Sequence, residues 1–136
     1  MMGGLATVGL IVIRDRRVLL AYSNNKKCFY LPGGKVEHQE DNLQALFREI
    51  REELNCALDK TLVEYYTHIT ARAFGEPDGV IMEQDCYLLK GILEPKPSAE
   101  IKELRFFTLA GYREEAQQAP GAVLILRQLK SAGLID

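Results

Sequence analysis

The stretch Gly34-Lys35-Val36-Glu37-His38-Gln39-Glu40-Asp41-Asn42-Leu43-Gln44-Ala45-Leu46-Phe47-Arg48-Glu49-Ile50-Arg51-Glu52-Glu53-Leu54-Asn55-Cys56 places a helix and a cluster of acids together. Leu43, Leu46, Phe47, Ile50 and Leu54 recur at helical offsets and form one apolar stripe. Asp41 is positioned as the N-cap, and Gln44 three residues later completes a capping-box pattern. Asn55 stands where the helix must stop. After glycine, Asn best tolerates the left-handed conformation found beyond a helix C-terminus.

Five glutamates lie in this stretch: Glu37, Glu40, Glu49, Glu52 and Glu53. At about 100° per residue the last three project from one edge of the helix, beside the apolar stripe. Glu49 and Glu53 form a like-charge pair one turn apart, which disfavours an isolated helix by about 0.2–0.5 kcal/mol. Arg48 can pair with Glu52, but Glu49 and Glu53 have no basic neighbour at helical spacing, so a divalent cation would resolve the conflict. Clustered carboxylates are hard ligands suited to Mg²⁺ or Mn²⁺. With only His38 nearby and no paired His or Cys, zinc is disfavoured. The preceding Pro32-Gly33-Gly34 turn allows the close backbone approach that a metal- or phosphate-contacting loop needs.

Outward from this core, Leu5–Ile13 and Val18–Tyr22 read as a β-hairpin around the polar turn Arg14–Arg17. Cys28–Leu31 reads as a short extended piece, ended by Pro32, with a loop running on to Glu40. Leu62–Ala73 and Val80–Leu93 read as strands joined by the turn formers Gly75–Gly79, and Leu104–Leu109 as a last strand. Ala122–Ala132 reads as a terminal helix, with Pro120 and Gly121 before it and Gly133 as its stop.

With 136 residues the chain has room for one domain, and 47% hydrophobic and 26% charged residues suit a packed globular core. A net charge of −2 without a long basic run argues against duplex nucleic acid as a partner. The three cysteines Cys28, Cys56 and Cys86 fit neither a disulfide framework nor a paired metal motif, so a reducing, cytoplasmic setting is expected. Leu5–Ile13 is too short to span a bilayer and has no basic segment before it, so neither a membrane partner nor a signal peptide is expected.

The stretch 34–56 resembles the Nudix box: a Gly, a Glu after five residues, then after seven more Arg-Glu-aliphatic-any-Glu-Glu-any-Gly-aliphatic. Here Gly34, Glu40 and Arg48-Glu49-Ile50-Arg51-Glu52-Glu53 match, while Asn55 and Cys56 replace the usual Gly and aliphatic residue. The leading Phe29-Tyr30-Leu31-Pro32-Gly33 and the flanking strand pattern also resemble the family in its MutT-like form, which implies a single Nudix domain over 1–136. The resemblance implies an α/β/α sandwich with a mixed central β-sheet, the box helix on one face and the terminal helix on the other. It also implies Mg²⁺- or Mn²⁺-dependent hydrolysis of a phosphoanhydride in a nucleoside diphosphate linked to a further group, most simply a nucleoside triphosphate.

By the same resemblance Glu49, Glu52 and Glu53, with the Gly33 carbonyl, are the metal ligands. Glu40 is a supporting ligand or a group behind them, and Arg48 orients the carboxylates. Glu52, Glu53, Arg48 and Glu100 form the expected catalytic set, with the general base open between a box glutamate and Glu100. Gly34, Lys35 and Phe74 are the expected contacts to a small nucleotide substrate. Among the aromatics Phe29, Tyr30, Phe74 and Tyr87, only Phe74, beside a Gly-Pro loop, stands out from ordinary core residues. Arg14, Arg16, Lys26, Lys27 and Arg72 are further basic groups that phosphates could meet. The alternative is a nucleotide or sugar-nucleotide sensor without turnover, and a homodimer is compatible with such a domain.

Overall fold

The structure is a computed structural model that describes residues 4–136. The strands are β1 (Leu5–Ile11), β2 (Ile13–Arg14), β3 (Arg17–Ser23), β4 (Cys28–Tyr30), β5 (Gly33–Lys35), β6 (Val63–Arg72), β7 (Ile81–Leu89) and β8 (Ile101–Phe107). The helices are α1 (Asn42–Leu54), a four-residue α2 (Leu109–Tyr112) and α3 (Pro120–Ser131), with a single 3-10 turn at Lys60–Leu62. Among the described residues no helix is long and apolar enough to cross a membrane.

The central sheet runs β5-β1-β7-β6 and is mixed: β1 is parallel to β7, from Leu5 opposite Met82 to Ile11 opposite Leu88, while β5 and β6 are antiparallel to their neighbours. A second, antiparallel sheet is built on β3, which pairs with β2, β4 and β8.

The expected first hairpin is corrected here. The run Leu5–Ile13 breaks at Val12, so β1 joins the central sheet and only Ile13–Arg14 turns back on β3. The turn itself is the expected one, with Asp15 and Arg16 both at positive φ (52° and 61°), as a two-residue hairpin turn requires. That conformation is unfavourable for Arg16, and its side chain offsets it by donating to Asp136 Oδ1 (2.6 Å) and the Gly133 carbonyl (3.0 Å).

Period-two alternation along β1 and β3 separates two cores. Val8, Leu10, Val12 and Leu19 face Leu46, Ile50 and Leu54 of α1. Ile11, Val18 and Leu20 belong instead to the cluster of Ile125, Leu126 and Leu129 on α3. The result is the expected α/β/α layering with the two helices on opposite faces. Each fully buried Leu or Ile contributes about 1.5–3 kcal/mol.

α1 begins and ends as its sequence dictates. Asp41 accepts from the Gln44 amide (2.8 Å), Gln44 returns the bond to the Asp41 amide (2.9 Å), and Asn55 is left-handed at φ 56°. α3 approaches the sheet closely because Gly121 has no side chain: a Cβ there would lie 2.6 Å from Met82 Cε. Its start is fixed by the fully buried Tyr112, whose hydroxyl donates to the Phe29 carbonyl (2.6 Å) and accepts from the Ala119 amide (2.9 Å).

Candidate active site

The three box glutamates share an edge of α1 but sit at graded depth. Glu53 is 5% exposed, the Glu49 side chain 16% and that of Glu52 53%. Glu53 is buried at the border of the apolar stripe, and its Oε1 accepts a hydrogen bond from the Gly33 amide (3.1 Å). Burial pushes its carboxyl up to about 8; the Gly33 amide opposes the rise, and the charges of Glu49, Glu100 and Glu52 add to it. Burial also raises Glu49, with Arg48 opposing.

Gly33 and Gly34, on β5, are required by this packing. Gly33 has φ 142°, and a Cβ there would collide with the Val8 carbonyl. A Cβ on Gly34 would collide with Glu49 Oε2 and lie 2.6 Å from its Cδ, so the carboxylate occupies the space a side chain would fill.

Arg48 is the hub of the polar edge. Its guanidinium donates to Glu40 through Nε (2.7 Å) and Nη2 (3.0 Å), to Glu49 and Glu52 through Nη1 (both 3.2 Å), and to the Lys35 carbonyl (3.0 Å). The pairing with Glu52 is the expected one. Glu49, however, also has Arg48 as a basic partner, at the adjacent position rather than one turn away, so its repulsion with Glu53 is partly relieved within the helix. The forked pair with Arg48 holds Glu40 down to about 2, helped by the Glu37 amide.

Glu100 reaches the same edge from a distant segment. The Lys96 amide donates to the Leu54 carbonyl and the Ser98 amide to that of Glu53 (both 2.9 Å), binding residues 94–100 to the end of α1. The Glu100 carboxylate then accepts from Ser23 Oγ (2.8 Å), Asn25 Nδ2 (3.3 Å) and Tyr30 OH (3.4 Å). Its charge reaches both Glu49 and Glu53.

Can this edge hold a cation? As the side chains stand, Arg48 draws Glu49 and Glu52 to itself, and among the described residues no three acidic, histidine or cysteine side chains converge into a metal cluster. The donor chemistry nevertheless fits a hard divalent ion: carboxylates at three depths, flanked by a glycine backbone with no side chain in the way.

On the opposite face a cavity of about 100 Å³ opens between β1, β7 and the start of α3, lined by Thr7, Tyr30, Phe74, Met82 and Gln84 among others. Gly33 and Gly34 line it as well, so the two glycines that touch the carboxylates also wall the cavity. Phe74 lines this cavity, together with Lys26 and Arg72. Lys35 is not on this wall; its ammonium pairs with Glu76 (3.3 Å), which also holds Lys26 (3.6 Å).

Phe29 is 3% exposed in the core, and Tyr87 packs edge-on against Tyr65 on the α1 side. Arg14 and Arg16 are spent on backbone carbonyls and the C-terminal residue. Thr7, Met82 and Gln84 were missed in the sequence. The available signal was a polar Gln84 on the face that Met82, Cys86 and Leu88 otherwise make apolar.

No curated protein matches the chain significantly. Among solved structures it is similar to the MutT NUDIX hydrolase of Burkholderia pseudomallei, at 25% identity and a TM-score of 0.75, over 94% of this chain and 99% of that one. It is similar to the ORF135 protein of E. coli at 26% identity and a TM-score of 0.73, over 96% and 94%. It shares the fold of the C. elegans Ap4A hydrolase at 21% identity and a TM-score of 0.67, over 95% and 98%. The NUDIX domain model matches residues 5–129, nearly the whole of the two-faced sheet with its glutamate edge and cavity, and the chain therefore belongs to the NUDIX domain family and is a hydrolase of that family.

Proposed function

We propose that this hydrolase cleaves a phosphoanhydride bond in a nucleoside diphosphate linked to a further group, most simply a nucleoside triphosphate, with Mg²⁺ or Mn²⁺ as cofactor. One observation carries the reading: Gly33 and Gly34 border both the carboxylate edge and the cavity, so a nucleoside seated in the cavity would bring its phosphates to the glutamates.

Glu49, Glu52 and Glu53, with the Gly33 carbonyl, would hold the metal, which supplies charge neutralisation and a water of lowered pKa. Glu40 holds Arg48 by two hydrogen bonds, and Arg48 in turn fixes the orientation of Glu49 and Glu52. Glu100, gripped by Ser23, Asn25 and Tyr30, accepts the proton of the attacking water at its carboxylate. Phe74 and Tyr30 offer apolar surface to the base, and Lys26 and Lys35, released from Glu76, would meet phosphate oxygens.

The test is product release from nucleoside triphosphates, ADP-ribose and dinucleoside polyphosphates, with Mg²⁺ and with chelator, for wild type and Glu53→Gln. Turnover should require metal and fall about 10³-fold in the variant, the loss of several kcal/mol of charge stabilisation. Tight binding of one compound with no turnover of any would replace this reading with that of a nucleotide sensor.

A further inference from the structure

The cavity is unusual in its polar content. Its lining includes Leu5, Leu31, Phe74 and Met82, cationic Lys26 and Arg72, and no Asp or Glu. The start of α3 contributes only Ala119, Gly121 and Ala122. In that setting stands Gln84, 8% exposed, on β7.

Its amide packs against Gly9 of β1, where a Cβ would lie 3.1 Å from both Cδ and Nε2. Among the described residues its side chain makes one hydrogen bond, a weak one from Cys86 Sγ to Oε1 (3.6 Å). Among the described residues no buried side-chain nitrogen or oxygen lacks a partner, so the open Nε2 donor is accessible at the cavity wall, where a ligand can meet it. Thr7, opposite Gln84 in the pairing of β1 with β7, adds a hydroxyl whose proton goes to the Glu83 carbonyl (3.4 Å).

Resting on the hydrolase reading above, we propose that Gln84 reads the edge of the substrate's base and selects adenine and the pyrimidines over guanine. One amide offers one acceptor oxygen and one N–H donor group, which matches a base edge carrying a single donor group next to an acceptor. Guanine presents N1–H and the 2-amino group side by side. Meeting both takes two adjacent acceptors, most simply those of a carboxylate, and the cavity lining holds no Asp or Glu. Guanine bound here leaves a buried N–H without a partner, and sites discriminate strongly through such unpaired groups.

The experiment compares kcat/KM for ATP, CTP, UTP and GTP, at equal Mg²⁺, in wild type, Gln84→Glu and Gln84→Met. For the wild type, GTP should fall about tenfold or more below the best of the others, mainly through KM. Gln84→Glu supplies the second acceptor and should raise GTP relative to the rest by about tenfold. Gln84→Met keeps the volume without the amide and should flatten the preference. GTP equal to or better than the others in wild type, or a base preference unmoved in a folded Gln84→Glu, overturns the proposal. If Gln84→Glu does not fold, an unchanged preference in Gln84→Met overturns it alone. If wild type hydrolyses none of the four, the reading of a nucleoside triphosphate as substrate fails. Calorimetric binding of the same nucleotides then decides on Gln84 by the same order of preference, and no binding of any of them overturns both.

Discussion

The two faces of the central sheet are made of opposite materials. The α1 face ends in a tethered array of charges, Arg48 among Glu40, Glu49 and Glu52, drawn almost wholly from one helix and the turn before it. The α3 face carries an apolar cavity whose lining comes from β1, β4, β5, β6, β7 and α3. The first is a local construction and the second a tertiary one. Chemistry on phosphates calls for the first, and a choice between nucleosides calls for the second.

Substitutions can break this division of labour or sharpen it. Gly33→Ala should do the most damage, because Gly33 belongs to both sides. Its φ of 142° and the Val8 carbonyl in the path of a Cβ should remove about 3–5 kcal/mol of stability. Because the Gly33 amide also holds Glu53, hydrolysis should fall with it; denaturant unfolding and a rate assay below the melting temperature read the two losses.

Leu126→Ala, in the fully buried α3 core, should remove about 3 kcal/mol while leaving the kcat of the folded protein within about twofold. A kcat that fell in step with stability would show that the two faces are coupled. Arg48→Lys should do the reverse. The fork to Glu40 and the bridge between Glu49 and Glu52 cannot be reproduced by an ammonium, so activity should fall about 10–100-fold. Stability, by thermal melt, should move little.

The smallest effect is expected at His68, on the α1 side of β6, where Nε2 meets Glu83 (2.7 Å) and Nδ1 meets Asp85 (2.8 Å). These bonds raise its pKa, the one to Glu83 most. A raised folded-state pKa means the stabilisation is complete below about pH 6.5, the unfolded value, and is lost as pH rises through the folded one. His68 is exposed and screened, so the stability gap between wild type and His68→Gln should shrink by only about 0.5 kcal/mol or less from pH 5.5 to 8.5.

Legibility followed the same division. α1, its capping box and its left-handed Asn55 were all readable, because caps and stripes depend on residues within a few positions of each other. The Arg48–Glu52 pair was readable for the same reason. Arg48 as partner of Glu49, and the depth of Glu53, were not: both depend on β5 pressing Gly33 and Gly34 against the helix, and a three-residue strand rich in glycine carries no periodic signal. The split of Leu5–Ile13 at Val12 was hidden because both halves are apolar and extended, and only their partners differ. The cavity was the least legible element, since its lining residues are scattered from Leu5 to Ala122.

The hydrogen bonds from Lys96 and Ser98 to the last carbonyls of α1 also set an order of assembly. A helix end leaves its final carbonyls without partners, and here two of them wait for a segment made after two further long strands. The carbonyls of Glu53 and Leu54 therefore gain their protein partners only when residues 94–100 have docked. A peptide cut to residues 34–56 would carry every letter of the motif and yet hold its carboxylates in no fixed arrangement, because the site is finished only when the chain has nearly finished folding.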